Sequence, residues 1–260
     1  MDWRLRLAVA MVVVALAAAA QAQQQPVVRI ATDAALGDAM TDLAAAFERN
    51  GGATVHVSLG NSRELGRQIA AGAPYTLFLT ADQGVIEDLI EAAEVEDTGE
   101  VFARSALVLY VRRGAPMRAE DGLEGLGEAM ERRRLGRVAM PDPSVSPHGR
   151  AARESLFEVG LWADLQAHLS LTRTAVQARR RVDGGPAQAA ILPQSLTRRY
   201  AFDAGGDTVN LPEALHAPVE YSSVVLEDAD DSPAREFHEF LLEGEGREIL
   251  EHYGFALPPF

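Results

Sequence analysis

The stretch VVRIATDAALGDAMTDLAAAF, residues 27–47, changes its hydrophobic period within one short loop, and that change decides the fold. Val27 to Ala31 is a run of β-formers of strand length. Leu36, Met40, Leu43 and Phe47 then recur at intervals of three and four, the spacing of one helical face. Gly51-Gly52 stops that helix. A strand feeding directly into a helix is the unit of an α/β fold.

The same alternation continues outward. Val55, Val57 and Leu59 alternate as a second strand, Ser62 to Ala71 reads as a second helix, and Leu77 to Thr80 as a buried third strand. Asp82 is expected to cap a helix running through Ala93, closing a first unit over residues 26–102. Ser105 to Val111 reads as one apolar strand. After it come a helix near Asp121 to Arg133, a strand Arg137 to Met140 and a Pro-rich loop, Pro141 to Pro147. Helices about Gly149 to Val159 and Thr174 to Val182 follow, then a strand Ala189 to Leu192. Val219 to Leu226 reads as a returning strand, and Ser232 to Leu242 and Gly246 to Tyr253 as two final helices. A chain that crosses twice between two such units has the layout of a hinged, two-lobed protein.

Before residue 26 the reading is different. Arg4 and Arg6 precede an apolar run from Leu7 to Ala20, and Ala20-Gln21-Ala22 is a small-x-small site, so residues 1–22 read as a cleavable export signal. The run is about 14 residues, short of the ~20 that span a bilayer, so no membrane insertion is expected after cleavage. With no cysteine, the chain has no lipid attachment point, disulfide or thiolate chemistry. A periplasmic location is expected.

An apolar fraction of 47% supports a real core. The formal net charge of -14 argues against nucleic acid as a partner and means that an anionic ligand must be captured by local geometry. All 24 basic residues are arginine, which excludes a Walker A loop and Schiff-base chemistry. The clusters Arg132 to Arg134 and Arg179 to Arg181 read as solvated helix faces. No nucleophile elbow or zinc motif occurs, and the six histidines, at 56, 148, 168, 216, 238 and 252, are scattered; no enzyme is expected.

In open α/β sheets ligands sit beyond the carboxyl ends of the strands. Four strand-to-helix junctions stand out: Thr32 to Ala35, Gly60 to Ser62, Ser146 to Gly149, and Thr174 to Val176. Each would offer free amides and the positive end of a helix dipole, a surrounding that suits a tetrahedral anion. The same residues are also ordinary helix caps.

Several segments carry a resemblance: Ala34-Ala35-Leu36 with Asp38-Ala39-Met40, Leu65 to Ile69 with Ala71 to Pro74, Leu77 to Asp82, Asp142-Pro143 through His148-Gly149, and the terminal Tyr253-Gly254-Phe255. Over nearly the whole mature chain the sequence resembles the periplasmic molybdate-binding proteins, the substrate-binding components of molybdate ABC transporters. The resemblance implies the two-lobed periplasmic binding protein fold (type II), with mixed sheets flanked by helices and a hinged cleft. Lobe 1 would comprise residues 23–102 plus 218–260, and lobe 2 residues 103–217. It further implies a molybdate or tungstate oxyanion as ligand, no cofactor, an ABC transporter permease as partner, and a monomer.

Family members bind the oxyanion through hydroxyls and backbone amides, with no direct metal ligand. Carried over, this assigns Ser62 as hydroxyl and amide donor and the amides of His148 and Val176. Ala35 stands where the family places a serine, and Pro193 at or near a ligand-binding tyrosine, so two hydroxyls are missing. Asn61, Gln194 and a cationic His148 are candidate replacements. Asp33 either repels a dianion or caps the next turn and occupies its amides. These departures leave open a second ligand class: another small anion, an organic acid or a zwitterion. A receptor-like role against another periplasmic protein is a third reading.

Overall fold

The computed structural model describes residues 26–92, 95, 99–198, 205–226 and 232–259; the expected signal, residues 1–22, and Ala93 lie outside them. From the N-terminus, β1 (Val27–Asp33) leads through a 3-10 turn, Ala34–Leu36, into α1 (Gly37–Arg49), then β2 (Thr54–Gly60), α2 (Ser62–Ala70), β3 (Leu77–Thr80) and α3 (Gln83–Glu91). The chain continues as β4 (Glu100–Ser105), β5 (Leu107–Arg112), α4 (Gly122–Glu131), β6 (Val138–Pro141), α5 (Pro147–Glu158), α6 (Trp162–Leu165), β7 (Leu169–Thr172) and α7 (Ala175–Asp183). It ends with β8 (Ala189–Pro193), α8 (Ser195–Arg198), β9 (Gly206–Asn210), β10 (Val219–Val225), α9 (Pro233–Leu242), α10 (Gly244–His252) and β11 (Phe255–Ala256).

The strands form two mixed sheets, a six-stranded one in the order β11-β4-β10-β3-β1-β2 and a five-stranded one in the order β7-β6-β8-β5-β9. Each sheet with its helices is one lobe of an α/β, two-lobed fold. In the first, β1 runs parallel to β2 and β3 while β10 returns antiparallel. In the second, β6 is parallel to β7 and β8 while β5 is antiparallel to β8 and β9. Val28, Ile30, Leu36, Met40 and Leu43 are all buried in one cluster, so the period change of residues 27–47 reflects one core seen first by a strand and then by a helix.

The single strand expected from Ser105 to Val111 is two strands. β4 pairs with β10, β5 pairs with β8, and the chain passes between the sheets at Ala106. β4 escaped a hydropathy reading because Glu100 and Arg104 interrupt it; Arg104 pairs with Glu220 across the ladder at 2.7 Å. β7 and β9, also unread, lie at the edges of the five-stranded sheet, where half-exposed polar positions are tolerated.

Two local expectations fail. Asp82 makes no capping hydrogen bond to α3; its carboxylate is taken by arginines. Arg179 is not solvated: it is buried, bonds Asp183 at 3.0 Å and the Leu196 carbonyl at 2.7 Å, and lies 4.5 Å over the Tyr110 ring. Gly149, in the first turn of α5, is set by close approach, since a Cβ there would meet the Pro141 carbonyl oxygen at 2.5 Å. No helix among the described residues is long and apolar enough to cross a membrane.

Candidate functional site

The carboxyl ends of the parallel strands in the two sheets are tied to one another by hydrogen bonds. Beyond β1, the Ala35 carbonyl accepts from the Ser195 hydroxyl, just past β8, at 2.9 Å. Beyond β2, Asn61 Nδ2 donates to the carbonyls of Val145, past β6, at 2.9 Å and Arg173, past β7, at 3.2 Å. Beyond β3, Asp82 Oδ1 accepts from Arg150 Nη2 on α5 at 2.8 Å. These junctions therefore meet across a closed cleft at the carboxyl ends of the strands, where open α/β sheets place their ligands.

Ser62 opens α2 and is 1% exposed, yet its hydroxyl oxygen meets no hydrogen-bond partner among the described residues. Thr32 Oγ1, at the end of β1, and the Tyr221 hydroxyl, on β10, are equally buried and equally without one. Ser222 is paired with Thr80, so Tyr221 lies one residue further toward the carboxyl end of β3. An unmatched buried hydroxyl costs about 1–3 kcal/mol, and these three at one end of one sheet are donors that an acceptor-rich ligand would satisfy.

Asp33 settles into the capping role. Its Oδ1 accepts from the Ala35 amide at 2.8 Å, so the amide that follows β1 is occupied by the chain's own carboxylate. Burial pushes the Asp33 carboxyl up to about 6; the Ala35 N–H opposes this and the nearby Asp82 charge adds to it. Asn61 caps α2 by accepting from the Arg63 amide at 3.1 Å, and its NH2 group is spent on the opposite lobe. It clasps the lobes and is no spare donor.

His148 does not bring a positive charge. It is 1% exposed, Nε2 lies 3.2 Å from the Ser105 hydroxyl, and its ring packs 5.9 Å from that of Tyr221. Burial, with smaller contributions from His216 and Arg150, pulls its pKa down to about 3, so the ring is neutral at physiological pH. Its backbone amide stands in the first turn of α5, where helix amides have no intrahelical partner. Val176, half-buried in the first turn of α7, presents its amide in the same way beside the Thr174 cap.

Pro193 ends β8, buried and paired with Leu107; it has neither a hydroxyl nor an N–H to offer. Gln194 turns to Asn210 at 3.2 Å and does not replace the missing donor. Thr32 stood at the head of one expected ligand-facing junction; Arg150, Ser195 and Tyr221 were not read from the sequence. Tyr221 looks like strand core and the other two like ordinary helix residues; only the pairing of distant junctions reveals them. No group of three His, Cys, Asp or Glu suited to a metal occurs among the described residues.

A hollow of about 350 Å3 beside the crossovers is lined by Arg104, Ser105, Gln194, Asn210 and His216 among others. It lacks the convergence of helix starts and unmatched hydroxyls found at the strand ends, which remain the better candidate for the site.

The profile of the bacterial extracellular solute-binding protein family matches residues 28–256. The molybdate-binding protein ModA of Escherichia coli (strain K12) is 28% identical over 236 residues, covering 88% of this chain and 89% of its own length. Among solved structures, the Azotobacter vinelandii periplasmic molybdate-binding protein aligns with a TM-score of 0.77 at 22% identity, over 89% of this chain and 99% of that one. The sulfate-binding protein SubI from Mycobacterium tuberculosis H37Rv aligns with a TM-score of 0.74 at 17% identity, over 90% of this chain and 88% of that one. At these identities the structural likenesses establish the fold. The family is one of solute-binding proteins and not of enzymes, which agrees with the absence of catalytic motifs. With residues 28–256 matched and the sheet order and cleft above in place, the chain belongs to the bacterial extracellular solute-binding protein family, as a divergent relative of the molybdate-binding proteins.

Proposed function

We propose that this chain captures a small tetrahedral oxyanion, molybdate or tungstate foremost, between its lobes and delivers it to an ABC transporter permease. The observation that carries the reading is the buried, unmatched Ser62 hydroxyl at the start of α2, beside Thr32 and Tyr221 in the same condition. An oxyanion accepts from such donors without a countercharge, replacing its hydration with fixed dipoles. The first-turn amides of His148 and Val176 complete the opposing side.

In this reading the protein is exported by the signal at residues 1–22 and works in the periplasm as a monomer. Its lobes are residues 23–105 with 218–260, and residues 107–217. The first boundary falls three residues later than the sequence alone places it, because β4 pairs with β10. The cross-lobe bonds of Asn61, Arg150 and Ser195 hold the closed form, and in this reading that is the form the permease reads.

A second reading keeps the fold and changes the ligand to another small anion, an organic acid or a zwitterion. Asp33 favours it by occupying the Ala35 amide, as does Pro193 by supplying no donor. Calorimetric titration of residues 23–260 with molybdate, tungstate, sulfate and phosphate tests both. Submicromolar binding of molybdate and tungstate alone supports the first, and binding of none of the four removes it.

A further inference from the structure

Asp33 stands at the end of β1, where it caps the Ala34–Leu36 turn. Its carboxylate holds the Ala35 amide at 2.8 Å, one of the first-turn amides that an anion between the lobes would otherwise take. The charged groups on the packed elements do not neutralise it. Arg150 of α5 and Arg63 of α2 are directed to Asp82, at 2.8 and 3.5 Å. His148 of α5 is buried and neutral against Ser105. On α7, which packs against the Ala34–Leu36 turn, Arg179 is taken by Asp183. Of the other elements on that turn, α1 brings Asp38 and Asp42, the latter bonded to Tyr253, and α8 brings the exposed Arg198. Tyr221 of β10 adds a neutral phenol. A dianion entering this site thus meets a carboxylate with no cation assigned to it.

We propose that Asp33 couples anion capture to a proton, the closed cleft taking an oxyanion together with one proton held between the Asp33 carboxyl and a ligand oxygen. This deepens the oxyanion reading above and rests on it. Two ligand forms satisfy it. An oxyanion that carries its own O–H, such as hydrogenphosphate, donates that hydrogen to Asp33 and binds without further protonation. A bare oxyanion such as molybdate binds only after solvent has protonated Asp33, whose carboxyl then donates to a ligand oxygen. The raised pKa of the unliganded carboxyl brings this proton within reach near neutrality, and an adjacent anion raises it further. The side chain is therefore a specificity determinant that reads the protonation state of the ligand.

The test is calorimetric titration of residues 23–260 and of Asp33→Asn with sodium molybdate and sodium phosphate, at several pH values from 7 to 9 and in buffers of different ionisation enthalpy. Asparagine keeps the capping oxygen for Ala35 and presents an N–H in place of the proton. Wild type is expected to take up about one proton per molybdate, with affinity falling about tenfold per pH unit, and, at pH 8 and above where hydrogenphosphate predominates, close to none per phosphate. Asp33→Asn is expected to bind molybdate without a pH slope, at least tenfold more tightly than wild type at pH 8. Should the asparagine chain not fold, judged by its melting curve, Asp33→Ala serves the same comparison. Molybdate binding by wild type with neither pH slope nor proton uptake overturns the inference and leaves oxyanion capture standing. A variant that keeps the wild-type slope does the same. Failure of both proteins to bind either anion overturns capture and this inference together.

Discussion

Replacing Arg150 by Met removes the strongest charged bond across the cleft while keeping the length of the side chain. Asp82 is 2% exposed and accepts from Arg150 Nη2 at 2.8 Å; its remaining partner, Arg63 Nε, lies at 3.5 Å. Breaking a buried ion pair by removing one partner costs about 3–5 kcal/mol when nothing relaxes. Here Arg150 is one-third exposed and Arg63 remains, so about 2–3 kcal/mol is expected. Opening the cleft hydrates Asp82, so this energy is charged against the closed state and not against the fold of either lobe. Small-angle scattering of unliganded Arg150→Met should show a larger radius than wild type, while its melting temperature moves little. Ligand affinity, which depends on the closed population, should fall about 30- to 150-fold for whichever oxyanion binds. The double variant Arg150→Met with Asp82→Asn removes the stranded charge and should recover part of that loss. An affinity within about threefold of wild type, with unchanged scattering, would refute the claim that this pair holds the lobes together.

Ser62→Ala should weaken oxyanion binding by roughly 10- to 150-fold, the worth of one hydrogen bond to a charged group, as read by calorimetry. The unliganded protein should become slightly more stable to heat, because the deleted hydroxyl is buried and unmatched. Tyr221→Phe should likewise not destabilise the unliganded protein; a marked loss of melting temperature would mean that its hydroxyl is bonded after all. Asp33, raised from 3.8 to about 6, favours the folded state only when protonated, so this stability is full below about pH 4 and lost as pH rises through 6. The loss amounts to about 3 kcal/mol, and urea unfolding of Asp33→Asn should lack this step between pH 4 and 6. His148 has the opposite sign. Its pKa of about 3 in the fold makes neutral imidazole the stable form, so stability falls as pH drops from 6.5 toward 3, and its ring proton shifts should stay those of neutral imidazole at pH 5.

The sequence by itself determined the α/β alternation, because a buried strand and the helix that covers it must each write its own period into the chain, as residues 27–47 do. It also placed the helix starts at Asn61 and Thr174, since capping is chemistry between near neighbours, but began the helix that Ser146 caps about two residues late, at Gly149. What it lost were the strands whose partners supply the environment: β4 with its Arg104–Glu220 pair, and the short edge strands β7 and β9. The site divided in the same way. Ser62 was legible through a resemblance and a local position. Asp33 caps through Ala35, two residues on, but whether His148 is charged and whether Asn61 is free depended on atoms 43 to 112 residues away: Ser105 beside His148, and Val145 and Arg173 beside Asn61. Burial and cross-lobe bonding decide charge and donor availability, and neither is a property of a short stretch of sequence. Only the tertiary structure turned a polar cap into a clasp, a histidine into a neutral wall, and Thr32 and Tyr221 into buried hydroxyls without a partner among the described residues.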